Sequence, residues 1–195
     1  MRMLAVPLLL LGLGLAPRPA GAQWGLSAEI GVARFGGTAR DTTGTKVGPY
    51  RPTTFGLRVD RALGSTRVAL DVLYAKTGFA GEQNGVAIVQ YDVGSLWELA
   101  PEASFRVARF GAGAEARLEA GPAVELWTVD GDTRGRLGGR AAAAVEWPMA
   151  RALTGSLRVS GVLTGSVFDP AEVPGGVERL ATRRVTVAIG LRYGS

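Results

Sequence analysis

Apolar and polar residues take turns along most of this chain. The pattern is plainest near the end, where Val185, Val187, Ile189, Leu191 and Tyr193 share one parity and Arg184, Thr186, Ala188, Gly190 and Arg192 share the other. Successive side chains point to opposite faces of a strand, so such a segment is a ribbon with one apolar and one polar side. Eight segments of this kind can be laid out. The first runs from Trp24 to Arg34, with Leu26, Ala28, Ile30 and Val32 on its apolar face. The second is Thr53 to Arg61 (Phe55, Leu57, Val59) and the third Thr66 to Lys76 (Val68, Leu70, Val72, Tyr74). The fourth is longer, Ala87 to Phe105, with Val89, Tyr91, Val93, Trp97, Leu99 and Phe105. The fifth, Ala112 to Val129, carries Leu118, Val124 and Leu126, and the sixth, Arg140 to Trp147, carries Ala141, Ala143, Val145 and Trp147. The seventh, Leu153 to Phe168, has Leu157, Val159, Leu163 and Val167; the eighth is the closing strand. Pro122 interrupts the fifth segment, and proline cannot donate to a ladder, so a bulge or a position above the membrane is expected there. The run Ala141 to Ala144 has helical propensity, but Gly138-Gly139 before it and Pro148 after it leave no room for a stable helix.

The connections alternate in length. Those after the second, fourth and sixth segments are short: Ala62 to Ser65, Arg106 to Gly111 and Pro148 to Ala152. Those after the first, third, fifth and seventh are longer: Phe35 to Pro52, Thr77 to Val86, Asp130 to Gly139 and Asp169 to Thr182. An even number of strands, short turns on one side and long loops on the other predict an all-β fold: an eight-stranded antiparallel up-and-down transmembrane barrel. About 9–11 residues per strand suffice to cross a bilayer at a tilt.

The start of the chain reads differently. Arg2 is followed by an apolar run from Leu4 to Leu15 and by the small residues Ala20-Gly21-Ala22. This is the pattern of a secretory signal peptide over residues 1–22, with the barrel domain over 23–195. The apolar run is too short for a helix that needs about 20 residues to span a bilayer.

Composition narrows the chemistry. With no cysteine, an exported protein must be held by its core or by a closed hydrogen-bond network. With no histidine, the chain lacks the commonest general base, transition-metal ligand and activator of serine or cysteine. The formal charge of +5 includes Arg2 and Arg18 of the signal, and the remaining cations are scattered, so nucleic acid is not an expected partner.

Alternation alone does not say which face is inside. A soluble periplasmic barrel carrying a lipid would turn its apolar face inward; a membrane barrel would turn it outward. The polar face carries carboxylates and arginines separated by glycine, alanine and serine, which suits an eight-strand interior barely wide enough for its own side chains. Arginine is favoured in such a place because its planar fork satisfies carboxylates in pairs. The expected interior network pairs Arg58, Arg117, Arg158 and Arg184 with Glu29, Asp71, Glu115 and Glu119. Trp24, Phe35, Phe55, Tyr74, Tyr91, Trp97, Phe105, Trp147 and Tyr193 lie mostly toward strand ends, where an aromatic girdle would sit. Trp127 shares parity with the interior acids and does not fit the girdle. Arg61, Arg106, Arg109 and Arg151 flank the short turns, either to meet lipid phosphates or to solvate the turns.

In these respects the chain resembles the small eight-stranded outer-membrane barrels of the OmpA/OmpX type. The resemblance covers the whole chain after the signal. It implies contact with outer-membrane lipids and delivery to the barrel-insertion machinery through the closing strand, Val185 to Tyr193. Members of the family end on the aromatic, whereas Gly194 and Ser195 follow Tyr193 here. No active site, cofactor or metal site comes with it. Asp130-Gly131-Asp132 lacks the further ligands of a calcium loop, and Arg134-Gly135-Arg136 reads as loop punctuation. The expected role is non-enzymatic, either structural or through a surface ligand held by the long loops. A small-solute or ion pore and a soluble periplasmic lipid carrier are the alternatives.

Overall fold

The computed structural model describes residues 24–36, 39–40, 46–50, 52–83, 86–129, 131–167 and 178–194. The expected signal segment lies outside them. Eleven strands form one sheet: β1 (Trp24–Phe35), β2 (Ala39–Arg40), β3 (Lys46–Tyr50), β4 (Thr53–Leu63), β5 (Thr66–Gln83), β6 (Val86–Phe110), β7 (Ala114–Val129), β8 (Asp132–Ala150), β9 (Leu153–Thr164), β10 (Glu178–Arg179) and β11 (Thr182–Gly194).

The eight longer strands close into an antiparallel barrel. β1 pairs with both β4 and β11, and the pairing of β5 with β6 completes the ring. The short strands β10, β2 and β3 continue the sheet from the far end of β5, above the barrel, in the order β10-β2-β3-β5. Closure removes every long sheet edge, which is why a barrel can be wrapped in hydrocarbon without exposing unpaired backbone.

The apolar parity faces out. Val32 is 63% exposed and Ile189 60%, and Leu57, Leu70, Leu118 and Val159 are exposed with them. The opposite parity, including Arg58, Asp71, Glu119 and Arg184, is buried. The basis for a soluble barrel around a lipid is therefore absent: such a barrel needs the apolar face inside. Gly64 takes a φ of +69° in the turn between β4 and β5, a conformation that a side chain would strain.

The hairpins differ from the expected loops. The connections expected from Thr77 to Val86 and from Asp130 to Gly139 are mostly strand: β5 runs on to Gln83, β6 starts at Val86 and β8 starts at Asp132. On the turn side, β6 runs through the expected link to Phe110 past a register shift between Arg106 and Ala108, and β8 reaches Ala150. Polar and glycine residues continue a ladder as long as its backbone groups pair, so loss of apolar alternation does not end a strand. The seventh segment, by contrast, ends early. β9 stops at Thr164, the alternation loses its phase, and Val167 turns into the lumen instead of outward. Phe35, expected in the aromatic girdle, also packs inward.

The β6–β7 junction is interrupted in mid-strand. The β6–β7 register pairs Leu99 with Val124 and Ala103 with Ala120, but nothing between. Extending that register places Pro101 opposite Pro122, two residues with no N–H to give. A side chain at Gly121 would run into the Pro101 carbonyl, so the strands approach closely there without a ladder.

The charged lumen as candidate functional site

Strand parity builds the lumen in layers. Glu115, Arg117 and Glu119 alternate along β7 and face the same way, as do Arg58 and Asp60 on β4. Bulky charged side chains are set against small neighbours. Arg158 lies opposite Ala144 on one side and Ala188 on the other, and Arg140 lies opposite Gly121 and Val162. This interleaving gives the long side chains room to reach across a narrow cylinder.

The layer at the short-turn end holds three groups. Arg192 donates two hydrogen bonds to Asp60, each 2.8 Å, and Arg67 donates two to Glu146, 2.9 and 2.6 Å. Arg117 donates to the Ser104 hydroxyl at 2.8 Å, to the Ser104 and Ser65 carbonyls at 3.1 and 3.2 Å, and to Glu115 at 3.2 Å. Glu115 also accepts from Arg106 and Arg109, both at 3.0 Å. Arg61 sits over the Trp24 ring, 5.7 Å from its centroid.

In the middle layer, Arg58 donates to Asp71 at 2.8 Å, to Glu102 at 3.1 Å, and to both oxygens of Glu119 at 3.0 and 3.2 Å. Arg158 bridges Glu29, at 3.0 Å, and Glu119. Arg140 lies 3.3 Å from Asp71 and 3.2 Å from Glu102. Above them Arg184 pairs with Glu98 and lies 3.2 Å from Glu125. Glu125 in turn accepts from the Trp127 indole N–H at 3.0 Å and the Thr164 hydroxyl at 2.9 Å.

The ionic layers end under an apolar cap. Trp127 is fully buried (0% exposed) and packs with Leu73, Ala75, Leu96 and Val167, with Phe35 edge-on at a ring separation of 5.5 Å. Val167 is held in place from β8. Arg136 donates to the Ser166 carbonyl at 2.5 Å and the Val167 carbonyl at 3.2 Å, and Arg134 reaches the Val167 carbonyl at 3.4 Å. The pair expected to be loop punctuation therefore belongs to β8 and fixes the cap.

The structure thus gathers Glu29, Arg58, Asp71, Glu119 and Arg158 in one cluster, places Glu115 with Arg117 at the turn end, and puts Arg184 in the upper layer with Glu98 and Glu125. Glu102 lies outside the expected network, although it shares parity with Glu98 and is buried with it. Leu73, Leu96 and Trp127 carried the same signal: each is two residues from an interior acid. The arrangement is one of mutually paired charges, and no group of three or more metal-ligating side chains occurs among the described residues.

No protein-family profile and no curated protein matches the sequence. Solved structures do. Neisserial surface protein A (NspA) superposes with a TM-score of 0.59 at 12% identity, over 89% of this chain and 98% of that one. The fold is that of the small outer-membrane barrels. The N-terminal barrel domain of Pseudomonas aeruginosa OprF matches with a TM-score of 0.51 at 12% identity, covering 90% of this chain and 100% of that one. OprG from the same organism gives 0.53 at 9% identity, over 89% and 96%. At these identities the likeness is one of architecture, and an architecture does not transfer a site.

Proposed function

We propose that this protein is an integral barrel of the outer membrane that carries out no catalysis, its lumen plugged by its own ion pairs and its loop end turned to the outside. One observation carries the reading: burial is inverted, with leucine, valine and isoleucine on the outside and arginine and carboxylates on the inside. In water that arrangement exposes a continuous apolar surface at about 25 cal/mol per Å2, whereas in a bilayer the same surface is matched. The solved outer-membrane barrels with the same fold support it.

A role in envelope structure or in surface interaction follows from the closed lumen. The wall at the loop end extends beyond the apolar band through the β5–β6 hairpin and the β10-β2-β3 extension, which offers a protein surface clear of the lipid. The closing strand β11 is the element through which the insertion machinery would take the chain. With no histidine in the chain and each interior carboxylate among the described residues paired with an arginine, the lumen reads as an ionic network, which supports a non-enzymatic role.

The test is solubility. The chain from Gln23 onward is expected to require detergent and to migrate differently on a gel before and after boiling, as closed barrels do. A monodisperse species in plain buffer would overturn the assignment.

A further inference from the structure

At the loop end of one sector, the outward-facing positions turn abruptly from apolar to basic. On β1 the outward run ends at Val32 and the next outward residue is Arg34; on β11 Val185 gives way to Arg183; on β5 Tyr74 gives way to Lys76. All three basic side chains are exposed. The register sets Arg34 opposite Val185, which makes Arg183 its diagonal neighbour on the adjoining strand, within reach of two long side chains.

These cations lack what the interior ones have. Arg58 and Arg158 sit at hydrogen-bond distance from carboxylates. Arg34 and Arg183 have no carboxylate partner among the described residues. Two like charges held side by side repel, and an anion between them reverses the sign of the interaction. Across the barrel the equivalent outward positions are uncharged: Ser95 on β6, Thr128 on β7 and Leu137 on β8. The feature belongs to one sector and is not a general girdle.

Directly below the two arginines lies the exposed apolar face formed by Ile30, Val32, Val185 and Val187. A soluble anion would use the guanidinium groups and leave that face idle. A lipid would use both. We propose that this sector of β1, β11 and β5 docks a phosphate-bearing lipid of the loop-side leaflet. Its phosphate lies between Arg34 and Arg183, its acyl chains run down the apolar face, and Lys76 takes a second anionic group. The inference rests on the membrane reading above.

The experiment is native mass spectrometry of the detergent-folded protein with diphosphoryl lipid A, its dephosphorylated counterpart and inorganic phosphate as probes. Wild type is expected to retain the diphosphoryl lipid at least ten-fold better than the dephosphorylated one. Arg34→Gln/Arg183→Gln should lose that preference, while Arg151→Gln, the same charge change in a turn at the other end, should keep it. A boiling-dependent gel shift shows that each variant is folded. Equal retention of both lipids by wild type overturns the proposal, as does unchanged preference in the double variant. So does displacement of the lipid by inorganic phosphate at an equal concentration, which would mark a site for a free anion. A protein that needs detergent yet shows no phosphate preference sinks this inference alone; one that is monodisperse without detergent sinks the membrane reading with it.

Discussion

Arg58 is the single side chain on which most of the middle layer depends, since Asp71, Glu102 and Glu119 all accept from it. Removing one partner from a buried ionic cluster commonly costs about 3–5 kcal/mol, and here Arg140 and Arg158 would be left to compensate Glu29, Asp71, Glu102 and Glu119 between them. Arg58→Ala is therefore expected to lower the urea midpoint of the folded barrel well below that of Arg151→Ala, an exposed turn change. Equal midpoints would mean that the polar face is solvated and not sealed. Arg134 cannot serve as such a control, because it reaches the Val167 carbonyl. Trp127→Ala tests the cap. It empties a fully buried indole site, a change worth about 3–5 kcal/mol in a packed core, and leaves the Glu125 oxygen it served with the Thr164 hydroxyl as its one remaining side-chain donor among the described residues. A loss of unfolding free energy under a tenth of that, read from the urea midpoint and slope, would show the cap to be loose.

At the scale of the strand, parity is the strongest prediction available. Val187 faces out and Ala188 in, one residue apart on β11. Val187→Lys places a charge on the lipid face at about 2–4 kcal/mol near the midplane, measurable as a reduced folded fraction in vesicles. Ala188→Lys crowds Arg158 and should show its damage equally in detergent micelles, where bilayer depth does not matter. If both variants fold alike in vesicles and micelles, the assignment of faces is wrong. This much was legible in the sequence, because with an apolar residue at every second position from Val185 to Tyr193 a one-residue slip would turn the whole apolar set to the other face. The strand ends were not. Val167 continued the parity on paper, yet β9 had already stopped at Thr164, and a residue beyond the ladder is free to turn. The hairpin from Thr77 to Val86 looked like a loop because its residues are polar and small, but pairing needs only backbone. The partners of each arginine were also illegible: Arg184 meets Glu98 and Glu125, which lie on strands far off in sequence and are brought near by closure alone.

For the molecule as a whole, the two closures in series make conduction the decisive measurement. Wild type in planar bilayers is expected to pass no resolvable current, and Arg58→Ala combined with Trp127→Ala should introduce a leak; steady conductance by the wild type would favour the pore. A barrel of this kind has eight junctions between long strands, and the one between β6 and β7 lacks its ladder where Pro101 and Pro122 oppose each other. The β5–β6 and β8–β9 ladders shift register toward their ends, but the β6–β7 ladder is the one broken by opposed prolines in mid-strand, which makes the cylinder mechanically uneven. Strain from heat or a pulling tip concentrates where the fewest bonds share it, so rupture should start along this line and run toward both rims. An otherwise tough shell then has a predetermined tear, and Pro122→Val, which returns a donor to the gap, should raise the force at which it parts.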